Sequence, residues 1–176
     1  MYDKILVVNK PKLRRSLLQK YTWKLDDRFS VTTDLDGIDL KKAASLIAEH
    51  DWTVAGRPVC MTVEAMKNSE TFICLCDREP VGFLRLVTDY VTMAYVTDVN
   101  VSVDYQGKGL SRFMLECVFE KHPVFSKMRR VNLITPNAHG LYVKFGFRPI
   151  SEPDEFMERL TPYDEAYKAY DKRQNG

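Results

Sequence analysis

The segment Ala94–Leu115, AYVTDVNVSVDYQGKGLSRFML, constrains the fold more than any other, because an alternating strand runs through a glycine turn directly into an amphipathic helix. Val99, Val101 and Val103 fall on one strand face and Asp98, Asn100 and Ser102 on the other, as a two-residue repeat requires. One face packs on a core; the other is polar enough to serve a cleft. Past the turn, Leu110, Phe113, Met114, Cys117 and Val118 recur at three-four spacing. They predict a helix starting near Gly109 and packed on a sheet, with Arg112, Glu116 and Glu120 outward. Gly107 and Gly109 remove Cβ atoms where a ligand must approach the main chain. The first amides of the helix have no intrahelical acceptors, so an anion satisfies them and is favoured by the helix dipole. A Gly-x-Gly between strand and helix also suits a tight loop with no ligand. Two nucleotide motifs are excluded, since Arg112 breaks GxGxxG and GxxxxGK[ST] occurs nowhere.

At 176 residues, 45% hydrophobic and 28% charged, the chain reads as one soluble domain. A net charge of +2 argues against a dedicated nucleic-acid binder. No run of apolar residues is long enough to span a membrane, and MYDKILVVNKPK lacks the small-residue cleavage site of a signal peptide, so a cytoplasmic location is expected. Cys60, Cys74, Cys76 and Cys117 make no CxxC, and His50, His122 and His139 lack ligand spacing to them, which argues against a metal. Cys74 and Cys76 read as reduced core residues on one strand face. The first 28 residues are basic, with eight Lys or Arg against three Asp, and Leu13, Leu17, Leu18 and Tyr21 form a helical stripe. They predict an extension docked on the domain or on a second subunit, with a membrane or RNA contact as the alternative.

The rest of the chain reads as one α/β layer structure without repeats or internal linkers. FSVTTD is the first strand, Asp39–Glu49 a helix with Leu40, Ala43, Ala44 and Ile47 inward, and a second helix follows Pro58. TFICLCD and VGFLRLVTD make a hairpin around Asp77–Pro80. After the central strand and its helix come RVNLIT, a helix stopped by Gly146, two short strands near Phe147–Pro149 and in EFMERL, and a mobile polar tail from Thr161.

Read as Gln-x-x-Gly-x-Ser, Gln106–Ser111 resembles the Q/R-x-x-G-x-G/A signature of the GNAT acyltransferase superfamily. Thr135–Phe147, TPNAHGLYVKFGF, is similar to the closing block of that family, where a helix carries L-Y-x-K and ends in G-F. The two blocks in this order are far more specific than either alone. The resemblance extends over about residues 28–160, and EHDWTVAGRP with VGFLRLVTDY looks like a particular branch of single-domain members. It implies an α/β GNAT fold with a mixed central sheet of about six to seven strands flanked by helices. It also implies N-acetyl transfer from acetyl-coenzyme A to a primary amine, small-molecule or peptide, by direct attack without metal, in a chain that forms dimers in many members. Ser111 and Thr135 depart from the pattern, which more often has Gly or Ala and Asn there.

The resemblance assigns residues. Gln106 is expected to contact coenzyme, with diphosphate on the amides of Gly107, Lys108, Gly109, Leu110, Ser111 and Arg112, Lys108 and Arg112 adding charge, and pantetheine and thioester against the backbone of Val99, Asn100 and Val101. Asn137 either contacts coenzyme or caps the helix. Tyr142 aligns with the tyrosine that protonates the leaving thiolate; a phenol of pKa about 10 suits a thiol of about 8.5. Ala138, Leu141, Tyr142 and Phe145 also make an apolar helical stripe, so Tyr142 reads alternatively as core. Asp98 is the first candidate for general base, with an ion pair to Arg85 as the alternative reading. Asp89, in a turn, is a weaker candidate. Trp52 and Arg57 are expected to line the acceptor cleft or to serve packing and capping. The alternative function is a non-catalytic acyl-coenzyme-A-binding or regulatory module of the same fold, and a third is a generic nucleotide-binding protein.

Overall fold

Strands β3 (Glu70–Cys76) and β4 (Glu79–Thr88) form the centre of the fold because they carry apolar side chains on both faces. Phe72, Cys74, Leu84 and Leu86 face one layer, and Ile73 and Phe83 face the other. Such strands must be covered on both sides. The computed structural model describes residues 19–49 and 56–175. The sheet has six strands in chain order: β1 (Thr22–Lys24), β2 (Phe29–Thr32), β3, β4, β5 (Met93–Val101) and β6 (Arg130–Asn132). Pairing is antiparallel through β5, and β6 joins parallel. The β3–β4 turn puts Asp77 at φ 50° and Arg78 at φ 73°. Two left-handed residues give the turn the twist that a tight hairpin needs.

One face is covered by α3 (Leu110–Glu116) and the turn of wider helix that continues it, where Leu110, Phe113, Met114, Leu115, Cys117 and Val118 are all buried. The predicted stripe is the buried one. Each large apolar side chain fully buried here contributes about 1.5–3 kcal/mol. The other face is covered by α1 (Leu40–Ser45), the tighter helical turn that follows it (Leu46–Glu49) and α2 (Val59–Lys67), which bring Ala43, Ala44, Ile47 and Met66 onto Ile73 and Phe83. Asp39 starts α1 by accepting from the amides of Lys41 and Lys42, both at 3.0 Å.

Three expectations change. FSVTTD is the second strand, because Thr22–Lys24 pairs with it and Trp23 stacks on Phe72 at 5.8 Å between ring centroids. Part of the basic extension therefore belongs to the sheet, and Tyr21 lies in extended chain rather than on a helical stripe; Leu13, Leu17 and Leu18 lie outside the described residues. The two short strands expected near Phe147–Pro149 and in EFMERL do not form: Pro149 and Pro153 lack ladder donors, and Pro153–Glu155 is a single helical turn. Where a mobile tail is expected, Tyr163–Asn175 forms α5, docked on α2 through the Tyr170 hydroxyl, which donates to Glu64 at 2.6 Å. Tyr163, Ala166, Tyr167 and Tyr170 carry the three-four spacing that signals this helix within a polar run.

Candidate active site

Strand β5 loses its regular pairing where the polar residues sit. Thr97 pairs with Arg85 and Asn100 with Phe83, so Asp98 and Val99 together stand opposite Leu84. This is a β-bulge, and Asp98 takes φ 54° to make it. The extra residue reverses the alternation: Ala94, Val96 and Val101 all belong to the α3-side core, while Arg85 and Asn100 lie on the α2 side. The sequence carries the signal as a phase slip, since the apolar residues run 94, 96, then 99, 101. A strictly two-residue reading of the segment missed it.

The α2 side of the bulge is ionic. Asp98, its side chain 5% exposed, lies 2.6 Å from Arg85 Nε and 2.9 Å from Arg57 Nη2 through the same Oδ2. Arg85 Nη1 also donates to Ser69 Oγ at 3.1 Å and to the Ala65 carbonyl at 3.4 Å. Arg57 Nε donates to Thr62 Oγ1 at 3.0 Å. The expected Arg85 ion pair is present, and Arg57 joins it instead of serving as a helix cap. Asn100 is 4% exposed, and its amide nitrogen bridges the carbonyls of Asp98 and Phe83. Trp52 lies outside the described residues. Asp89, the weaker carboxylate candidate, accepts from the amides of Val91, Thr92 and Met93 and the Thr92 hydroxyl, and these bonds hold it well below the usual carboxylate range. It is a turn cap.

Strands β5 and β6 pair only from Met93 to Tyr95, against Arg130 to Asn132. From Val96 to Val101 no described strand covers that edge of β5, so a slot opens between two parallel strands. At its end Gly107 (φ 75°) and Gly109 (φ 76°) carry the chain into α3 through a loop that only glycine adopts without strain. Val101, Gln106, Gly107, Gly109, Leu110, Ser111 and Arg112 line a cleft of about 370 Å³. A Cβ on either glycine would meet nothing within 4 Å, so free space lies beside the loop. Lys108 sits over the Tyr105 ring at 4.6 Å and donates to the Asp104 carbonyl, while Arg112 donates to Glu116 at 2.8 Å.

Tyr142 closes α4 (His139–Tyr142), which ends past one further helical turn at Gly146 (φ 81°). It is 8% exposed and lines a second cavity of about 300 Å³ with Asn132, Thr135 and His139. Burial raises its pKa above that of a free phenol, so it is protonated at neutral pH. Asn137 is not among the residues lining this cavity. Nor does it cap the helix: the cap position of α4 is Ala138, with no side-chain cap, and the Ala138 amide is held by the Thr135 hydroxyl, which accepts from it at 3.0 Å. No group of His, Cys, Asp and Glu among the described residues is arranged to hold a metal ion, and no described helix is long and apolar enough to cross a membrane.

A bulged β5, parting from β6 and followed by a glycine loop, is a geometry that can be matched against known proteins. The family description "Acetyltransferase (GNAT) domain" matches residues 67–149. A crystal structure from Xanthomonas campestris pv. campestris, of a protein assigned to the GNAT family, is 33% identical, covers 77% of this chain and 94% of that one, and superposes with a TM-score of 0.70. The chain belongs to the GNAT family. A Gibberella zeae protein carrying the name "Putative acetyltransferase" is 30% identical over 109 residues, 58% of this chain and 62% of that relative. The chain thus spans about three fifths of the length of the curated relatives it matches, 62% and 58%. N-acetylglutamate synthase from Neisseria gonorrhoeae, solved with coenzyme A and L-arginine, shares the fold at 19% identity and TM-score 0.57, with 83% of this chain and 32% of that one covered.

Proposed function

We propose that this GNAT-family chain transfers an acetyl group from acetyl-coenzyme A to a primary amine. The observation that carries the reading is the open edge of β5 from Val96 to Val101, running straight into the glycine loop at the start of α3. Diphosphate lies on the amides between Gln106 and Arg112, which have the free space and helix polarity an anion needs. Pantetheine pairs with the uncovered backbone of Val99, Asn100 and Val101, and an amide of that stretch receives the oxyanion.

The amine nitrogen attacks the thioester carbon, the C–S bond breaks, and Tyr142 gives its phenolic proton to the departing thiolate. The proton shed by the amine returns through water to the tyrosinate, which balances the cycle. We assign Asp98 to holding the bulge rather than to base catalysis. Both guanidinium groups meet its Oδ2, and a carboxylate that left this position would strand two buried cations.

Calorimetry with acetyl-coenzyme A, paired with a free-thiol release assay over a set of amines, tests the reading. Binding with amine-dependent thiol release is expected, and Tyr142→Phe should lower turnover about 100-fold or more while leaving coenzyme affinity nearly unchanged. Equal turnover removes Tyr142 from the mechanism, and binding without release by the parent chain identifies the non-catalytic module instead.

A further inference from the structure

One long-range hydrogen bond reaches the wall of the cleft beside the glycine loop. Glu49 Oε2 accepts from the Val103 amide at 2.9 Å, across 54 positions of sequence. Val103 opens the single tight turn Val103–Tyr105 that carries β5 towards Gly107. Val101 before that turn, and Tyr105 and Gln106 at its end, all line the cleft of about 370 Å³. The bond therefore sits between cleft-lining residues without itself belonging to the cleft.

The first amides of a helical turn have no acceptor inside it, and a side chain at the preceding position usually supplies one. Ser102 holds that position, is buried, and makes no side-chain cap. Glu49 provides the acceptor from another element. It closes the turn Leu46–Glu49, where Leu46 and Ile47 are buried and Ile47 packs in the cluster of Ile73 and Phe83. The backbone that delivers the carboxylate is thus fixed by the core, although the side chain is exposed. At its ends the turn is tied to the sheet: the Ser102 amide donates to the Val81 carbonyl at 2.8 Å, and the Tyr105 ring meets Phe29 edge-on at 6.2 Å between centroids. Glu49 holds the stretch between these ties.

The charge of Glu49 has the wrong sign for an anion site. A carboxylate near a diphosphate repels it, weakly across solvent. What the position supplies is an acceptor oxygen. We propose that Glu49 is a positioning residue for coenzyme binding: by capping the Val103 amide it fixes the turn from which the glycine loop presents its amides to diphosphate. This rests on the acetyl-transfer reading and adds to it a residue outside the cleft.

The test is calorimetric titration of coenzyme A onto the full chain and its variants, with unfolding midpoints measured on the same samples. Glu49→Ala should weaken binding about 3- to 30-fold, the worth of a helix cap. Glu49→Gln should bind at least as tightly as the parent, since its amide oxygen still accepts and the repulsive charge is gone. Val103→Pro removes the donor itself at a first-turn position that suits proline, and Ser102, at ψ 142°, already has the extended backbone that a residue before proline needs. In that background Glu49→Ala should have no further effect on affinity, as a double-mutant cycle requires of a contact already absent. Unchanged or tighter binding by Glu49→Ala, a glutamine variant as weak as the alanine one, or an equal loss in the Val103→Pro background overturns the proposal and leaves acetyl transfer standing. Absence of coenzyme A binding by the folded parent chain takes down the acetyl-transfer reading, and the proposal with it.

Discussion

The two faces of the sheet are built from different chemistry. Towards α3 the interior is apolar throughout, from Phe72, Leu84 and Leu86 to Phe113, Met114 and Leu115, and the one histidine in it sits among aromatic rings. Towards α1 and α2 the interior starts the same way, with Ile73, Phe83 and Met66, and then gives way to Arg85, Asp98, Arg57 and Asn100 where β5 bulges. Burying ions is costly, and a hydrophobic cluster of equal volume would hold the strands together at least as well. The α3 face therefore supplies stability, and the ionic end of the opposite face is a place where stability has been exchanged for a fixed backbone kink.

That contrast breaks most readily at Asp98. Asp98→Ala leaves two buried guanidiniums without their carboxylate, and a loss of about 3–5 kcal/mol is expected from denaturant unfolding. Removing both charges from the pair, as in Asp98→Ala with Arg85→Leu, should recover much of it. A single-variant loss below about 1 kcal/mol would mean that the arginines find other partners and that the ionic end is no more than a solvated cluster.

The apolar face has its own titratable group. His122 packs against Tyr21, Trp23, Phe72 and Phe125, and its Nδ1 accepts from the Val124 amide at 3.2 Å. Burial pushes its pKa down from 6.5 to about 4. A proton binds the unfolded chain more readily than the folded one, so the contribution is fully present above pH 6.5 and is lost as pH falls to 4. Roughly 3 kcal/mol should disappear across that window in urea titrations. The loss should flatten in His122→Phe. An unchanged acid limb in that variant would place the pH sensitivity on the ionic face instead.

How far each region could be read from the sequence follows the same division. The α3 stripe and the glycine loop were legible because they are local: a three-four repeat fixes the buried face, and φ 75° and 76° at Gly107 and Gly109 are conformations that glycine adopts freely. The partnership of Asp98 with Arg85 was legible once both were placed on neighbouring strands. Arg57 as a second partner was not, because it arrives from the start of α2, and only tertiary packing sets that distance. The bulge was written into the spacing of Val96 and Val99, but a strict alternation template passes over a slip of one residue. The strands expected at 147–160 failed because apolar content was weighed above the missing donors of Pro149 and Pro153. Helix α5 failed for the opposite reason, since its polar majority hid the Tyr167 and Tyr170 side chains that face inward.

Gly82 is where the two faces are mechanically joined, and it gives the smallest expected effect and the finest test. It pairs with Val101 just beyond the bulge, and a Cβ there would stand 2.7 Å from the Asn100 carbonyl and 3.1 Å from Val101 Cα. Both are main-chain atoms, so β4 and β5 would have to separate, at a cost of about 1–3 kcal/mol for Gly82→Ala by analogy with overpacked cores. The backbone is not strained in itself, because Gly82 is not among the glycines with positive φ; the constraint is one of contact alone. Separation would move Asn100 and Val101 relative to the glycine loop, while the packing of Met66 on Ile73 lies further along the sheet. Gly82→Ala should therefore weaken acetyl-coenzyme A binding in calorimetry more than its modest shift in unfolding midpoint suggests. Should binding stay unaltered while stability falls by the same amount, the kink tolerates displacement, and the precision attributed to the ionic end is not what coenzyme binding needs.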